Sequence, residues 1–400
     1  MKKRKIFDKI KNELDNPLIL LLIWARQVGK TTLLKQLRDT ISSTRKTYFI
    51  NLEAPDIRKL LDIHPNRIFE VTGATSDQPH IIFIDEIQYL HDPTTFLKYL
   101  YDAYKDTIKL VVSGSSSFYI DQKFRDSLIG RKRVFPVYTL DFREFLDFQD
   151  EIEIWDIIAT WRPIPLLYVS RLESLILEYI TYGGYPEVVL SRDHESKIDR
   201  LADYSLDYIK KDIYEANIAD SDKFLSILRV LAHQSGELLN MSEIANTFNL
   251  SLPTVEKYIY IMQKSYHIAL VRPYYTNIRK ELSKMPKVYF YDLGFRNSLL
   301  RDFESIQLRM RDKWSYLENI VFREFLFRHG IENIRYWRTQ ARHEVDFIID
   351  ESHAYEVKFS RSLIRESKYA AFREQYPGID LHYITWEHIR ALVSWWAVGE

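Results

Sequence analysis

Cysteine is absent from all 400 residues. That excludes disulfides, cysteine-ligated zinc and thiol nucleophiles, and by itself leaves the compartment open. No sign of charge dominates: 56 Lys and Arg balance 56 Asp and Glu, for a formal net charge of zero. A basic surface for nucleic acid must therefore be local. No apolar run reaches the length of a membrane span. The basic start, Met1–Lys5, and the apolar run Leu18–Trp24 have Asp8, Glu13 and Asp15 between them, and no small-residue cleavage site follows. This is not the pattern of a secretory leader. The expectation is a cytoplasmic protein with no membrane partner. Apolar residues make up 46% and charged residues 28%, which describes a folded, soluble chain. Its length predicts two or three domains.

One further absence is local. Residues Trp24-Ala-Arg-Gln-Val-Gly-Lys-Thr31 fit the phosphate-binding pattern G-x-x-x-x-G-K-[ST], except that Trp24 stands where the first glycine belongs. In a P-loop, backbone N–H groups cradle phosphates, the lysine reaches the outer phosphates and the hydroxyl binds Mg²⁺. The residues assigned to the cradle are Ala25, Arg26, Gln27, Val28, Gly29, Lys30, Thr31 and Thr32. The apolar run Pro17–Ile23 predicts a buried strand before the loop. Thr32–Arg38 predicts an amphipathic helix after it, whose N-terminus adds positive potential. Gly29, Lys30 and Thr31 are intact, so the Trp24 indole is expected to tune affinity without abolishing binding.

The second half of such a site follows. His80-Ile-Ile-Phe-Ile-Asp-Glu-Ile-Gln88 is an apolar strand ending in two carboxylates. Asp85 is placed to hold Mg²⁺ together with Thr31, and Glu86 to act as general base on the attacking water. A buried strand with a polar end is the plain alternative. Lys109–Ser116 reads as another apolar strand, with Ser113 and Ser115 at its tip as contacts for the γ-phosphate or the lytic water and Ser115 assigned the catalytic role; a Ser/Gly turn is the alternative. In Ser127-Leu-Ile-Gly-Arg-Lys-Arg133, Arg131 is the first choice for an arginine finger and Arg133 the second, against a solvated basic turn. Whether Arg131 acts in cis or in trans stays open; action in trans requires a homo-oligomer. Strands alternating with helices to about residue 148 predict a parallel sheet covered on both faces.

Residues 149–230 read as a helical lid, with Gly183 and Gly184 as either a hinge or a helix end. Asn240–Asn249 and Thr254–Met262 read as a helix-turn-helix, and Ile268–Tyr274 with Lys287–Tyr291 as a two-stranded wing. Ser251, Thr254 and Lys257 are assigned to a DNA groove; Arg279 and Lys280, with Lys284 and Lys287, to phosphates. A protein-docking module, with Tyr258 and Tyr260 as packing residues, is the alternative. In the hairpin of residues 336–358, Asp346 is expected roughly opposite Lys358, and Glu356 shares a face with Lys358. Asp346 with Glu356-x-Lys358 is the PD-(D/E)xK nuclease constellation, whose carboxylates hold Mg²⁺. Glu318 or Glu324, on a helix at 314–328, supplies a further ligand. The competing readings are a surface ion-pair cluster, or the same fold without cleavage.

Five segments occur in order: Arg26–Leu34, Ile84–Gln88, Gly114–Ser116, Ser127–Arg131 and Tyr182–Val189. In them the chain resembles the AAA-type ATPases of bacteria and archaea that carry a C-terminal domain of unknown function. The resemblance extends to about residue 360. It departs at the loop entrance, where those proteins usually have Gly-Pro-Arg or Gly-Ala-Arg and this chain has Trp-Ala-Arg. It also supports a nuclease-like fold at the C-terminus. The expected architecture is α/β. A P-loop ATPase core (1–148) is followed by a helical lid (149–230), a winged helix (231–290) and a C-terminal α/β nuclease-like domain (291–400). The expected function is ATP binding and hydrolysis, with Mg²⁺, controlling a DNA-binding region. An ATP-regulated Mg²⁺-dependent nuclease and a nucleotide-switched protein scaffold are the alternatives.

Overall fold

Among the described residues, the first 138 positions form five strands: β1 Ile19–Trp24, β2 Lys46–Asn51, β3 His80–Asp85, β4 Ile108–Gly114 and β5 Lys132–Val137. The computed structural model describes residues 2–24, 27–114, 128–159, 165–275, 284–304 and 313–386. The five strands form one sheet in the order β2-β3-β4-β1-β5, and every pairing is parallel. Every residue of β3 and β4 is buried. Their near-continuous apolar character is what a strand covered on both faces needs. Between strands run the helices Lys30–Ile41, Pro55–Ile63 and Pro93–Tyr104. The first buries Leu33, Leu34, Leu37 and Ile41. The third begins with proline at its first position, and the Asp92 side chain accepts from Thr95 N at 3.0 Å, a pre-set and capped start. Lys109, at the start of β4, turns inward. Its ammonium donates to the backbone carbonyls of Glu13, Asn16 and Leu18 and pins the chain entering β1.

The chain divides into two compact units. The first comprises residues 1–138 with the short pieces 214–217 and 264–266, and the second the remainder.

The second unit opens with helices. They include Phe142–Phe148, which carries a capping box of Asp141 and Glu144, then Leu166–Tyr182 and His194–Glu215. Gly183 ends the second of these at φ 73°. A Cβ there would lie 2.0 Å from Asp292 Oδ1. Asp292 also accepts from Gly184 N at 2.9 Å and from Phe295 N at 3.1 Å. The Gly183-Gly184 pair is thus a helix end in close approach to its neighbours, the plainer of its two readings.

Ser221–His233, Met241–Thr247 and Leu252–Lys264 follow as helices. The turn between the last two uses Asn249 at φ 50° and a Leu250 N to Ala245 O bond of 2.9 Å. Next come β6 Ile268–Pro273, β7 Lys287–Phe290, the helices Leu293–Leu300 and Lys313–His329, and β8 Ile334–Arg338, β9 Glu344–Ile349, β10 His353–Lys358 and β11 Asp380–Thr385. All six strands belong to one mixed sheet, ordered β11-β10-β9-β8-β6-β7. The β6–β7 pair joins it through parallel contacts of Arg272 with Arg335 and of Pro273 with Tyr336. Among the described residues, no helix is long and apolar enough to cross a membrane.

Candidate functional site

In the first unit, β1 delivers the chain to a tight loop at its C-terminal end. Gln27 has φ 52° and Gly29 φ 85°; Gly29 then starts the helix Lys30–Ile41. A Cβ on Gly29 would meet nothing within 4 Å, so the glycine answers a backbone requirement and leaves open space over the loop. Ala25 and Arg26, and the side chain of Trp24, lie outside the described residues.

The parallel order brings the ends of β1, β3 and β4 side by side, and the polar residues there meet. Thr31 Oγ1 donates to Asp85 Oδ2 at 2.6 Å. Lys30 Nζ lies 2.8 Å from Glu86 Oε1. Ser113 Oγ donates to the other oxygen of Asp85 and accepts from Glu86 N at 3.1 Å. Glu86 stands at φ 59°, a left-handed backbone that costs about 1 kcal/mol or more for a side chain with a Cβ. Gln88 donates to Glu86 Oε2. A hydroxyl beside a buried carboxylate, with a lysine and open backbone above, is a donor set that suits nucleotide phosphates and Mg²⁺.

The structure sorts the other expected residues. Ser113 is fully buried in this network; Ser115 lies outside the described residues. Arg131 sits at the far end of β5, where its carbonyl accepts from Ile19 N at 2.8 Å. Since Ile19 begins β1 and the loop follows Trp24, about 17 Å of strand separates Arg131 from the loop. Its guanidinium forms a two-pronged pair with Asp102, at 2.7 and 3.2 Å. That bond raises the Arg131 pKa and lowers that of Asp102. Arg133 pairs with Glu13 on the surface.

Two contributors escaped sequence reasoning. Arg4 is buried and donates to Val28 O at 2.9 Å and to Tyr138 O at 2.8 Å. It ties the phosphate loop to the end of β5. In the sequence it is one of four consecutive cations, with nothing to distinguish it. Gln88 was visible in the motif but carried no expected role.

In the second unit, Ser251 and Lys257 are exposed and Thr254 is half-buried, with Glu256 exposed beside Lys257. Arg279 and Lys280 lie outside the described residues. Lys284 is exposed. Lys287 is not the surface cation expected: it is 2% exposed and turns into the sheet. There its ammonium lies 2.8 Å from Glu318, 2.6 Å from Glu344 and 3.2 Å from Asp346. Glu318 projects from the helix Lys313–His329. Glu344 and Asp346 share a face of β9, and Glu356 and Lys358 share a face of β10.

Lys358 pairs with Glu356 and stands 4.0 Å from Asp346. The register is two residues from that expected. Tyr355 pairs with Phe347, so Asp346 falls next in line opposite Glu356. Left-handed Asp350 and Glu351 make a tighter turn than the polar run suggested, and turn geometry sets register. Burial, reinforced by Asp346, pushes the Glu356 carboxyl up to about 8 despite Lys358. Burial likewise brings Glu318 to about 7. Burial opposes charge on Lys287, yet Glu318, Tyr289, Asp346 and Glu344 hold its ammonium well above the usual lysine range. The four expected residues Glu318, Asp346, Glu356 and Lys358 do come together, but with two lysines among them: Lys287 contacts Glu318 and Asp346, and Lys358 pairs with Glu356. Among the described residues, no group of three or more His, Asp or Glu is arranged to hold a metal ion. Glu324 is buried on the same helix.

Comparisons with known proteins follow the same division. Residues 16–146 match the model of an AAA domain. Residues 173–305 match a domain of unknown function (DUF8612), and residues 315–385 another (DUF4143). An uncharacterized protein of Haemophilus influenzae is 26% identical over 78% of this chain and 76% of its own length. An uncharacterized protein of Methanocaldococcus jannaschii is 26% identical over 87% of this chain and 76% of its own. Among solved structures, the Thermotoga maritima RuvB Holliday junction branch migration motor is similar, with a TM-score of 0.34 and 14% identity. The match covers 67% of this chain and 89% of that one. A likeness at that score adds nothing to the reading of the site, which rests on its own geometry and on the AAA domain match at residues 16–146.

Proposed function

We propose that the first unit binds and hydrolyses ATP, and that its nucleotide state controls a DNA-contacting region in the second. One observation carries the ATP reading: Lys30, Thr31, Asp85, Glu86 and Ser113 form a single network at the C-terminal ends of three adjacent parallel strands. Lys30 and the loop N–H groups bind the phosphates. Thr31 and Asp85 would hold Mg²⁺, which supplies positive charge to the phosphates when bound. Glu86 takes the proton of the attacking water, and Ser113 orients both carboxylates by bonding to Asp85 and to the Glu86 backbone. Phosphate release by wild type and Lys30→Ala tests this reading. Loss of turnover in the variant is expected; turnover at the wild-type rate removes the assignment.

Arg131 is read as acting on the nucleotide of a neighbouring copy, because 17 Å of its own strand, in rough terms, separates it from its own loop. This reading requires a homo-oligomer.

The DNA reading rests on the helix-turn-helix geometry of residues 241–264 and on exposed Ser251, Lys257 and Lys284. Duplex binding by the full chain, titrated with salt, tests it: phosphate contacts give a falling affinity with a defined slope. A flat response, or no binding at low salt, supports the alternative of a nucleotide-switched protein scaffold. Exposed Glu256 beside Lys257 favours that alternative.

A further inference from the structure

The C-terminal carboxylates assemble in the pattern of a metal-dependent nuclease, but their centre is already filled. An ammonium has three donors and no acceptor. Lys287 donates to Glu318 at 2.8 Å and to Asp346 at 3.2 Å, and forms an ion pair with Glu344 at 2.6 Å. The second oxygens of Glu344 and Asp346 are drawn on as well. Glu344 Oε2 accepts from Arg338 at 2.8 Å, and Asp346 Oδ2 accepts from Val357 N at 2.9 Å. Glu318 Oε1 also accepts from the Tyr289 hydroxyl. Glu356, 4% exposed, pairs with Lys358 and interacts with the Tyr369 hydroxyl.

A Mg²⁺ ion demands a near-octahedral oxygen shell at about 2.0–2.1 Å and retains several waters. Here Lys287, Arg338, the Val357 N–H and the Tyr289 hydroxyl already occupy oxygens that such a shell would use. The ammonium that would have to leave is 2% exposed, so it has no water to retreat into. Its backbone is held too. Lys287 pairs with Val271 across β6–β7 and bridges to Leu238 on its other side. Expelling the side chain would bury the carboxylates without a counter-charge, a strongly destabilising change.

We propose that Lys287 is a resident cation that takes the place of a divalent metal in the C-terminal cluster. The cluster is then an ionic fastening between the β6–β7 pair, the helix Lys313–His329 and the β9–β10 hairpin, and does not cleave phosphodiesters. This inference concerns the second unit alone and stands whether or not the first unit hydrolyses ATP.

The test is Mn²⁺ binding to the full chain without nucleotide, followed by electron paramagnetic resonance. An Asp85→Asn background excludes the first unit. In that background the proposal expects no Mn²⁺ bound in a way that Asp346→Asn changes. Adding Lys287→Ala should create about one Mn²⁺ equivalent, abolished again by Asp346→Asn. Stoichiometric Mn²⁺ with Lys287 present, lost on Asp346→Asn, overturns the proposal, as does a folded Lys287→Ala protein that gains no metal. Should Lys287→Ala fail to fold, the comparison with and without Asp346→Asn still decides. Mn²⁺-dependent plasmid cleavage by wild type that Asp346→Asn removes would also overturn it.

Discussion

Lys30 Nζ and Glu86 Oε1 lie 2.8 Å apart, and the two side chains are 7% and 12% exposed. The cation that phosphate needs is neutralised by the carboxylate proposed to activate water. An arriving nucleotide must split this pair, which frees Glu86 as it occupies Lys30. Glu86→Gln removes the competitor. We expect nucleotide affinity to rise several-fold while turnover falls by about 10²–10⁴, the range for loss of a general base. Equilibrium binding and single-turnover hydrolysis read the two effects separately. Weaker binding in Glu86→Gln would show that the pair organises the site instead of blocking it.

The position of Arg131 predicts complementation between copies. Lys30→Ala and Arg131→Ala should each lose turnover alone, the second by about 10³-fold or more if it acts as a finger. Mixed, the two should recover part of the wild-type rate, because some interfaces pair an intact loop with an intact arginine. Phosphate release across mixing ratios checks this. No recovery, with both variants folded, removes the role in trans.

Two glycines separate backbone strain from collision. Gly29→Ala meets open space, so its cost is that of a left-handed alanine, about 1–2 kcal/mol. Gly183→Ala places a methyl 2.0 Å from Asp292 Oδ1. Asp292 cannot swing aside without releasing Gly184 N and Phe295 N. Its expected cost is more than about 4 kcal/mol, the range of severe core changes. Urea unfolding of both variants compares them. Equal losses would contradict the close approach.

The buried carboxyls give the second unit a pH dependence of defined sign. Glu356 holds its proton up to about pH 8 and Glu318 to about 7, both above the ordinary 4.5. Between about pH 4.5 and 8 the folded state binds protons that the unfolded chain has lost, so stability falls as pH rises through that window and levels off above it. Glu356→Gln should flatten the fall. Urea midpoints from pH 5 to 9 measure it, and a midpoint that climbs over that range reverses the assignment.

The first unit was legible in the sequence because its signals are local. A run of apolar residues ending in Asp85-Glu86 announces both the strand and what stands at its tip. The same logic found Asp346 and Glu356-x-Lys358. It failed for Lys287, which lies 31 positions before its partner Glu318. In sequence it is one of several wing cations; only the joining of β6 to β8 carries it beneath the sheet surface. The hairpin register failed by two residues for a related reason. A polar run marks a turn, but the left-handed pair Asp350 and Glu351 fixes where pairing starts. Sequence assigns the catalytic role to Ser115, which lies outside the described residues; the β3–β4 register is what sets Ser113 beside Asp85.

Arg4 grips the carbonyls of Val28 and Tyr138, one in the phosphate loop and one just beyond β5. Arg4 therefore belongs to the proposed nucleotide site, although it lies in no nucleotide motif. Trimming past Arg4, or crowding it with a fusion partner, alters the footing of the loop. A preparation changed in this way would report the chemistry of a loosened loop while every motif residue remained in place.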